Sequence, residues 1–268
     1  MENLPLKIFV VTHKEVEKPV KKPGYVYIGV GPKSGEIGVE CTDATGENIA
    51  AKNPNYCELT AYYWMWKNDT SPYVGLEHYR RFFFDPYRSV FTTYIYSAEE
   101  LLKMLEEHDV LVAKKTPLDS KGSSIYDHYC NQHYQGDLDK VRAIIEKDYP
   151  EYLGAFDATM EEHEASLFNM IVTSKKIFDE YCAFLFGVLM TLEGQVDISG
   201  YNSYQARIFG FLSERLLNVY LNAHPEYKKK ELPVCNIAEG VPFINFCKRV
   251  FNRVFHRKPR IKDQEPNK

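Results

Sequence analysis

The sequence predicts an α/β domain with a mostly parallel central sheet flanked by helices. Three observations predict it. Apolar, β-branched runs alternate with segments of helical period, and the order strand, helix, strand recurs three times. The runs at residues 7–12 (KIFVVT) and 73–76 (YVGL) are apolar throughout, as strands buried on both faces are. Each stops abruptly at polar residues, Thr12-His13-Lys14 and Glu77-His78-Tyr79-Arg80-Arg81, the pattern of strands that deliver side chains to a ligand-binding carboxyl edge.

Residues 7–12 are expected as the first and central strand, opening into a loop at the site. A second strand, residues 25–30 (YVYIGV), is cut by Gly29, Gly31 and Pro32. Residues 31–55 are rich in Gly, Asn, Asp and Thr without periodicity, which predicts a long functional loop. Leu59, Tyr62, Tyr63 and Trp66 recur at helical spacing, so residues 56–66 are expected as a helix with Asn55 as N-cap, followed by the strand at 73–76. Ser97, with Glu99 and Glu100 in the first turn and Leu101, Leu102 and Leu105 as the apolar stripe, predicts a helix to His108; a strand at 110–113 follows. Residues 127–146 read as a polar loop and then a helix, 166–173 as a strand, 175–192 as a long apolar helix, 193–200 as a loop and 205–221 as a last helix of the domain. Residues 1–240 therefore form the main domain. In residues 241–268, Phe243, Ile244, Phe246, Val250 and Phe251 interleave with Lys248, Arg249, Arg253 and Arg257, which predicts a basic amphipathic helix over 242–262 and a polar tail. Such a helix either packs on the domain or lies on an anionic membrane surface.

At 268 residues with 44% hydrophobic content, one domain with a sizeable core is the simplest organisation. Thirty-seven acids against 33 bases leave a net charge of −4, so there is no basic field of the kind nucleic acid requires. No stretch approaches the roughly 18 to 20 apolar residues that span a bilayer, and MENLPLKIFVVTHKE lacks a basic region before a long apolar run, so a cytoplasmic location is expected. Cys41, Cys57, Cys130, Cys182, Cys235 and Cys247 show neither CxxC nor CxxH spacing, which argues for reduced thiols rather than disulfides or structural zinc. The absence of GxGxxG, GxxxxGK[ST], GxSxG and HExxH removes the usual support for dehydrogenase, P-loop, lipase-type and zinc-protease readings.

The run Glu77-His78-Tyr79-Arg80-Arg81 suits an anionic ligand such as a nucleotide sugar. Its guanidiniums match phosphate oxygens directly, or Glu77 and His78 hold a divalent metal, Mn2+ or Mg2+, that does so. A surface salt-bridge cluster is the bland alternative. Residues 127–134 (DHYCNQHY) with Asp137 set aromatic rings beside hydrogen-bonding groups, which suits a sugar, although a single histidine such as His128 or His133 is more often structural. An inverting sugar transfer needs one carboxylate as base near the acceptor hydroxyl, and Asp137, Glu164 and Glu214 are the candidates. Glu214 and Arg215 either pair within their helix or serve the site, and Arg207, seven residues before Glu214, is placed to reach a phosphate.

Six ordered blocks then carry a resemblance spanning about residues 6–225: KIFVVTHK at 7–14, TGENIAAKNPNYCELTAYYWMWKN at 45–68, YVGLEHYRRFF at 73–83, the segment 129–137, FNMIVTSKKIFDEYCAFLF at 168–186 and ARIFGFLSERLLNVYL at 206–221. In these the chain resembles the bacterial capsular and exopolysaccharide biosynthesis proteins first described as a domain of unknown function and grouped with glycosyltransferases. The resemblance implies a GT-A-like single domain and transfer of a sugar from a nucleotide diphosphate donor, UDP-linked, to a lipid-linked surface polysaccharide; some relatives are galactofuranosyltransferases.

By the same resemblance Thr12 and His13 meet the nucleobase or ribose, and Asn48, Lys52, Asn53, Glu58 and Tyr62 line the donor side. Glu77 and His78 fall where many GT-A enzymes carry a metal-binding Asp-x-Asp, and Arg80 and Arg81 complete the diphosphate site. Asn169, with His133, is implied on the acceptor side, and Asp137 or Glu214 as base. The basic tail would dock the enzyme on the inner face of the cell membrane, beside acceptors carried on polyprenyl diphosphate. A rival from another class is a non-catalytic sugar or lipid-carrier binding protein of a polysaccharide assembly complex. A third reading, a metal-dependent phosphohydrolase, would use Glu77, His78 and His133.

Overall fold

A computed structural model describes residues 4–89 and 92–239. The expected basic helix and tail, and Cys247, lie outside the described residues. In chain order the elements are β1 (Leu6–Thr12), β2 (Tyr25–Gly29), β3 (Cys41–Thr42), α1 (Asn53–Tyr56), α2 (Leu59–Asn68), β4 (Tyr73–His78), β5 (Arg81–Phe83), α3 (Ala98–Met104), β6 (Val110–Ala113), β7 (Thr116–Pro117), α4 (Ile125–Gln132), α5 (Gln135–Asp148), α6 (Leu153–Met160), β8 (Glu164–Ala165), β9 (Ile171–Ser174), α7 (Lys175–Glu193), α8 (Ile208–Ala223), β10 (Lys229–Leu232) and β11 (Val234–Asn236). The main sheet runs β10-β6-β9-β4-β1-β2-β3, and β7 and β8 form a separate ribbon. Along that path only β9 opposes its neighbours, so the sheet is mostly parallel with β1 inside it, as the sequence predicts.

Strand β1 is apolar throughout because it feeds two cores. Phe9 and Val11 pack with α2, α7 and α8 on one face, while Leu6, Ile8 and Val10 pack with α3 and β5 on the other. Beside it Gly75 sits at the centre of β4, where an added Cβ would come within 2.7 Å of Ile8 Cδ1 and 2.8 Å of Val172 Cγ2, so a side chain here would force those buried neighbours to shift.

The differences from expectation have local causes. The helix expected at 56–66 starts at Leu59, because Cys57 adopts φ 52° and separates α1 from α2; Asn55 therefore sits inside α1 and caps nothing. The expected loop at 31–55 contains β3 and the start of α1. The polar stretch from Asp127 is helical, capped by Ser124 Oγ accepting from Asp127 N at 3.0 Å. Strand β9 begins only at Ile171, since Phe168 (φ 72°) and Asn169 (φ 51°) are left-handed. Ser97 caps α3 as predicted, with Glu100 completing a capping box, and the helix ends at Met104 rather than His108. Strand β10, of sequence KKEL, carries no apolar signal; it is the end strand of the path, where polar residues face solvent. No helix among the described residues is long and apolar enough to cross a membrane.

Candidate active site

Register decides how the run at the end of β4 is used. Val10 aligns with Glu77 and Val11 with His78, so Glu77 follows Val10 to one face of the sheet while His78 follows Val11 to the other. On the His78 side a cleft of about 760 Å³ opens at the carboxyl ends of β1, β2 and β4. It is lined by Val11, His13 and Val30, by the β4–β5 turn from His78 to Arg81, and by Glu58, Phe168, Arg207 and Glu214.

Three guanidiniums face this cleft, each laid on an aromatic ring. Arg80 lies 4.9 Å from the Tyr79 centroid, Arg81 4.4 Å from Phe168 and Arg207 5.4 Å from Phe211. Arg207 Nε also donates to Cys57 Sγ at 3.2 Å. Among the described residues none of the three forms an ion pair with a carboxylate, so their charge is left for a ligand. His13 stands edge-on to Tyr79 at 5.5 Å; partial burial and then the charges of Lys14, Arg80 and Arg207 lower its pKa and keep it neutral near pH 7.

The acidic side is built around the left-handed pair Phe168-Asn169. His78 Nε2 donates to Phe168 O at 2.6 Å, which places the imidazole proton on Nε2. Phe168 N donates to Glu214 Oε1 at 2.9 Å, Asn169 Nδ2 donates to Glu58 Oε1 and Ser213 Oγ, both at 2.7 Å, and the Tyr62 hydroxyl donates to Asn169 O. Side chains from β4, α2 and α8 and from the turn before α2 thus hold one strained corner. Glu214 Oε2 accepts from Arg215 Nη1 at 3.3 Å, and its side chain keeps 22% exposure toward the cleft. Burial raises the Glu214 pKa, helped by Glu58 and opposed by Arg215. Burial lowers that of His78.

Of the residues expected in the site, His13, Asn53, Glu58, His78, Arg80, Arg81 and Glu214 line the cleft. Tyr62 and Asn169 lie directly behind it, fully buried. Thr12 is buried with its hydroxyl donating to Lys14 O at 2.6 Å, and His133 stacks 4.1 Å behind the cleft residue Phe211. Asn48 bonds within its own loop, to Gly46 O and Ala50 N. Lys52 is paired with Glu193 at 2.6 Å. Asp137, on α5, accepts both oxygens' bonds from the Tyr201 hydroxyl at 3.0 Å and does not line the cleft. Glu164 is exposed in the separate ribbon.

The expected Glu77 and His78 metal pair is corrected here. Glu77 is fully buried on the far face, where its Oε1 accepts from Phe83 N at 3.0 Å and burial raises its pKa to about 8. The period of two in a strand separates the pair, so these residues do not fit a shared Mn2+ or Mg2+. Among the described residues no three His, Cys, Asp or Glu side chains converge as a ligand set. The phosphohydrolase set fails for the same reason, with Glu77 across the sheet and His133 behind Phe211. The sequence reading missed Cys57, Phe168, Tyr204 and Phe211. An asparagine just before an apolar strand run, able to adopt a left-handed turn, was the available signal for the Phe168-Asn169 corner.

A family described as a domain of unknown function, DUF4422, matches residues 7–226. Among solved structures, one titled as the apo form of the bifunctional glycosyltransferase WbbM superposes with a TM-score of 0.78 at 31% sequence identity. The match covers 88% of this chain and 46% of that one, so this chain spans about half the length of that protein. The mixed α/β architecture matches the fold of that enzyme. Comparison with curated proteins returns no match.

Proposed function

This chain belongs to the DUF4422 family, and on that premise we propose that it is a GT-A-like glycosyltransferase moving a sugar from a nucleotide diphosphate donor to a lipid-linked surface polysaccharide. One observation carries the reading: three guanidiniums without carboxylate ion-pair partners share a cleft with two carboxylates at the strand ends of an α/β sheet. Arg80, Arg81 and Arg207 grip the diphosphate, and their charge stabilises it as it leaves. The acceptor oxygen attacks the anomeric carbon, the bond from that carbon to the phosphate oxygen breaks, and the acceptor proton passes to Glu214 with inversion at carbon. Burial gives Glu214 the raised proton affinity a base needs near neutral pH. The neutral imidazole of His13 binds the ribose or nucleobase. We favour UDP as the nucleotide and galactofuranose as the first sugar to try, with the basic residues beyond position 240 docking the enzyme on the inner membrane face.

Thermal unfolding with UDP, GDP and CMP tests the donor side. At 100 times its dissociation constant the bound nucleotide adds about 2.7 kcal/mol to stability. UDP is expected to raise the melting temperature of wild type but not of Arg80→Ala/Arg81→Ala or Arg207→Ala. Equal shifts in wild type and variants would remove the arginines from the site. Release of UDP from UDP-sugars by purified protein, dependent on an acceptor, separates a transferase from the non-catalytic binding protein.

A further inference from the structure

Four large hydrophobic side chains stand exposed among the described residues: Tyr87, Tyr134, Met190 and Tyr204. Two of them are tied to the cleft, Tyr204 directly and Tyr134 as the chain neighbour of His133, which stacks on Tyr204 and Phe211. Tyr204 lines it and is 48% exposed, and its ring rests against Phe211 at 5.0 Å and His133 at 5.7 Å. Tyr134, also 48% exposed, lies on Tyr201 at 4.4 Å with 37° between ring planes. The segments bearing these rings are fastened side by side: Gln205 Oε1 accepts from His133 Nδ1 at 2.9 Å, and Gln205 Nε2 donates to Gln132 O at 2.7 Å. The Asp137 carboxylate fixes the Tyr201 hydroxyl, so the outer ring pair is held rigidly as well. Exposed rings that lose no order when covered are suited to binding.

We propose that Tyr204 and the Tyr134–Tyr201 pair form a stacking track for successive saccharide units of the acceptor, running outward from the cleft. The acceptor is then an extended glycan rather than a bare lipid carrier. The carbon-bound hydrogens on one face of a pyranose or furanose ring pack on tyrosine faces, while its hydroxyls need amides at the rim. The exposed side chains of Gln132, Gln135 and Asn202 supply them. A polyprenyl chain would call for an aliphatic trench instead. The proposal rests on the transferase reading, but it concerns the acceptor side alone.

The test is titration calorimetry of the purified full chain with methyl glycosides of galactose, glucose and mannose as mono-, di- and tetrasaccharides, in parallel with polyprenyl phosphate in detergent micelles. At least one tetrasaccharide series is expected to bind about tenfold more tightly than its monosaccharide, a gain that Tyr134→Ala abolishes and Tyr134→Trp retains. UDP stabilisation and melting temperature are expected to match wild type in Tyr134→Ala, which separates loss of the track from loss of fold or donor site. Lack of binding by every saccharide, affinity independent of chain length, or a Tyr134-dependent affinity for polyprenyl phosphate alone would each overturn the assignment. If instead UDP fails to stabilise wild type while the tetrasaccharide gain persists, the donor reading falls and the track stands.

Discussion

Replacing Asn169 with alanine tests the corner that shapes the acidic side of the cleft. The side chain is fully buried and donates twice, to the Glu58 carboxylate and the Ser213 hydroxyl, both at 2.7 Å. A neutral hydrogen bond contributes about 1 kcal/mol and one to a carboxylate about 1.5–3 kcal/mol. Alanine at φ 51° adds about 1 kcal/mol of backbone cost that asparagine largely escapes. Glu58 lines the cleft and regains water, which offsets part of the loss, so the net destabilisation is about 3 kcal/mol. For a chain of this size each kcal/mol lowers the melting temperature by about 2–4 °C, giving a fall of roughly 6–12 °C in a circular dichroism melt. Asn169→Gly loses the same hydrogen bonds but tolerates the left-handed backbone, so it is expected to melt about 2–4 °C above Asn169→Ala. An alanine variant that melts with wild type would refute the clamp. An unchanged melt with a raised acceptor KM would instead return Asn169 to direct acceptor contact.

Two further outcomes follow from the carboxylates. Burial raises the folded pKa of Glu77 from its ordinary 4.5 to about 8, so the native state holds a proton that the unfolded chain releases. That stabilisation is complete below pH 4.5 and is lost as pH rises to 8, at up to about 1.4 kcal/mol per pH unit. Glu77→Gln, which keeps the acceptor for Phe83 N, is expected to flatten the fall in melting temperature between pH 5.5 and 8; parallel curves for the two proteins would show that Glu77 is ionised throughout. Glu214→Gln keeps the shape of the site but removes the proposed base, and transfer is expected to drop about 10²–10⁴-fold with UDP stabilisation intact. Wild-type turnover would move the proton to Glu58 or to solvent.

The strands at residues 7–12, 73–76 and 110–113 were legible because burial on both faces demands unbroken apolar runs, a signal no loop imitates. Edge strands β10 and β11 were not, since only part of each is buried and KKEL carries no apolar signal. The cationic wall was legible as adjacent arginines after a strand. Of its counterpart, Glu58, Asn169 and Glu214 were each named as site residues, but their meeting with Phe168 at one corner was not legible, because it arises from tertiary packing across more than 100 residues of chain and the left-handed backbone leaves only an asparagine in the sequence.

Residues 77 to 81 show why a motif read as one unit divides in three dimensions. A strand sends neighbours to opposite faces, so the run cannot place Glu77 and His78 in a single site. Glu77 goes to the face opposite the cleft and accepts from Phe83 N, tying β5 back onto β4 and thereby setting the tight turn between them. That turn is what presents Arg80 and Arg81 to the cleft, while His78, on the cleft face opposite Glu77, holds the Phe168 carbonyl. The acid thus serves the proposed diphosphate site through backbone placement rather than contact. A substitution at Glu77 should therefore change nucleotide affinity only to the extent that it loosens the turn, and Glu77→Gln, which keeps the Phe83 bond, should leave UDP stabilisation at pH 6 unchanged. Loss of UDP stabilisation by this variant at pH 6, with its melting temperature intact, would place the carboxylate in contact with the ligand after all.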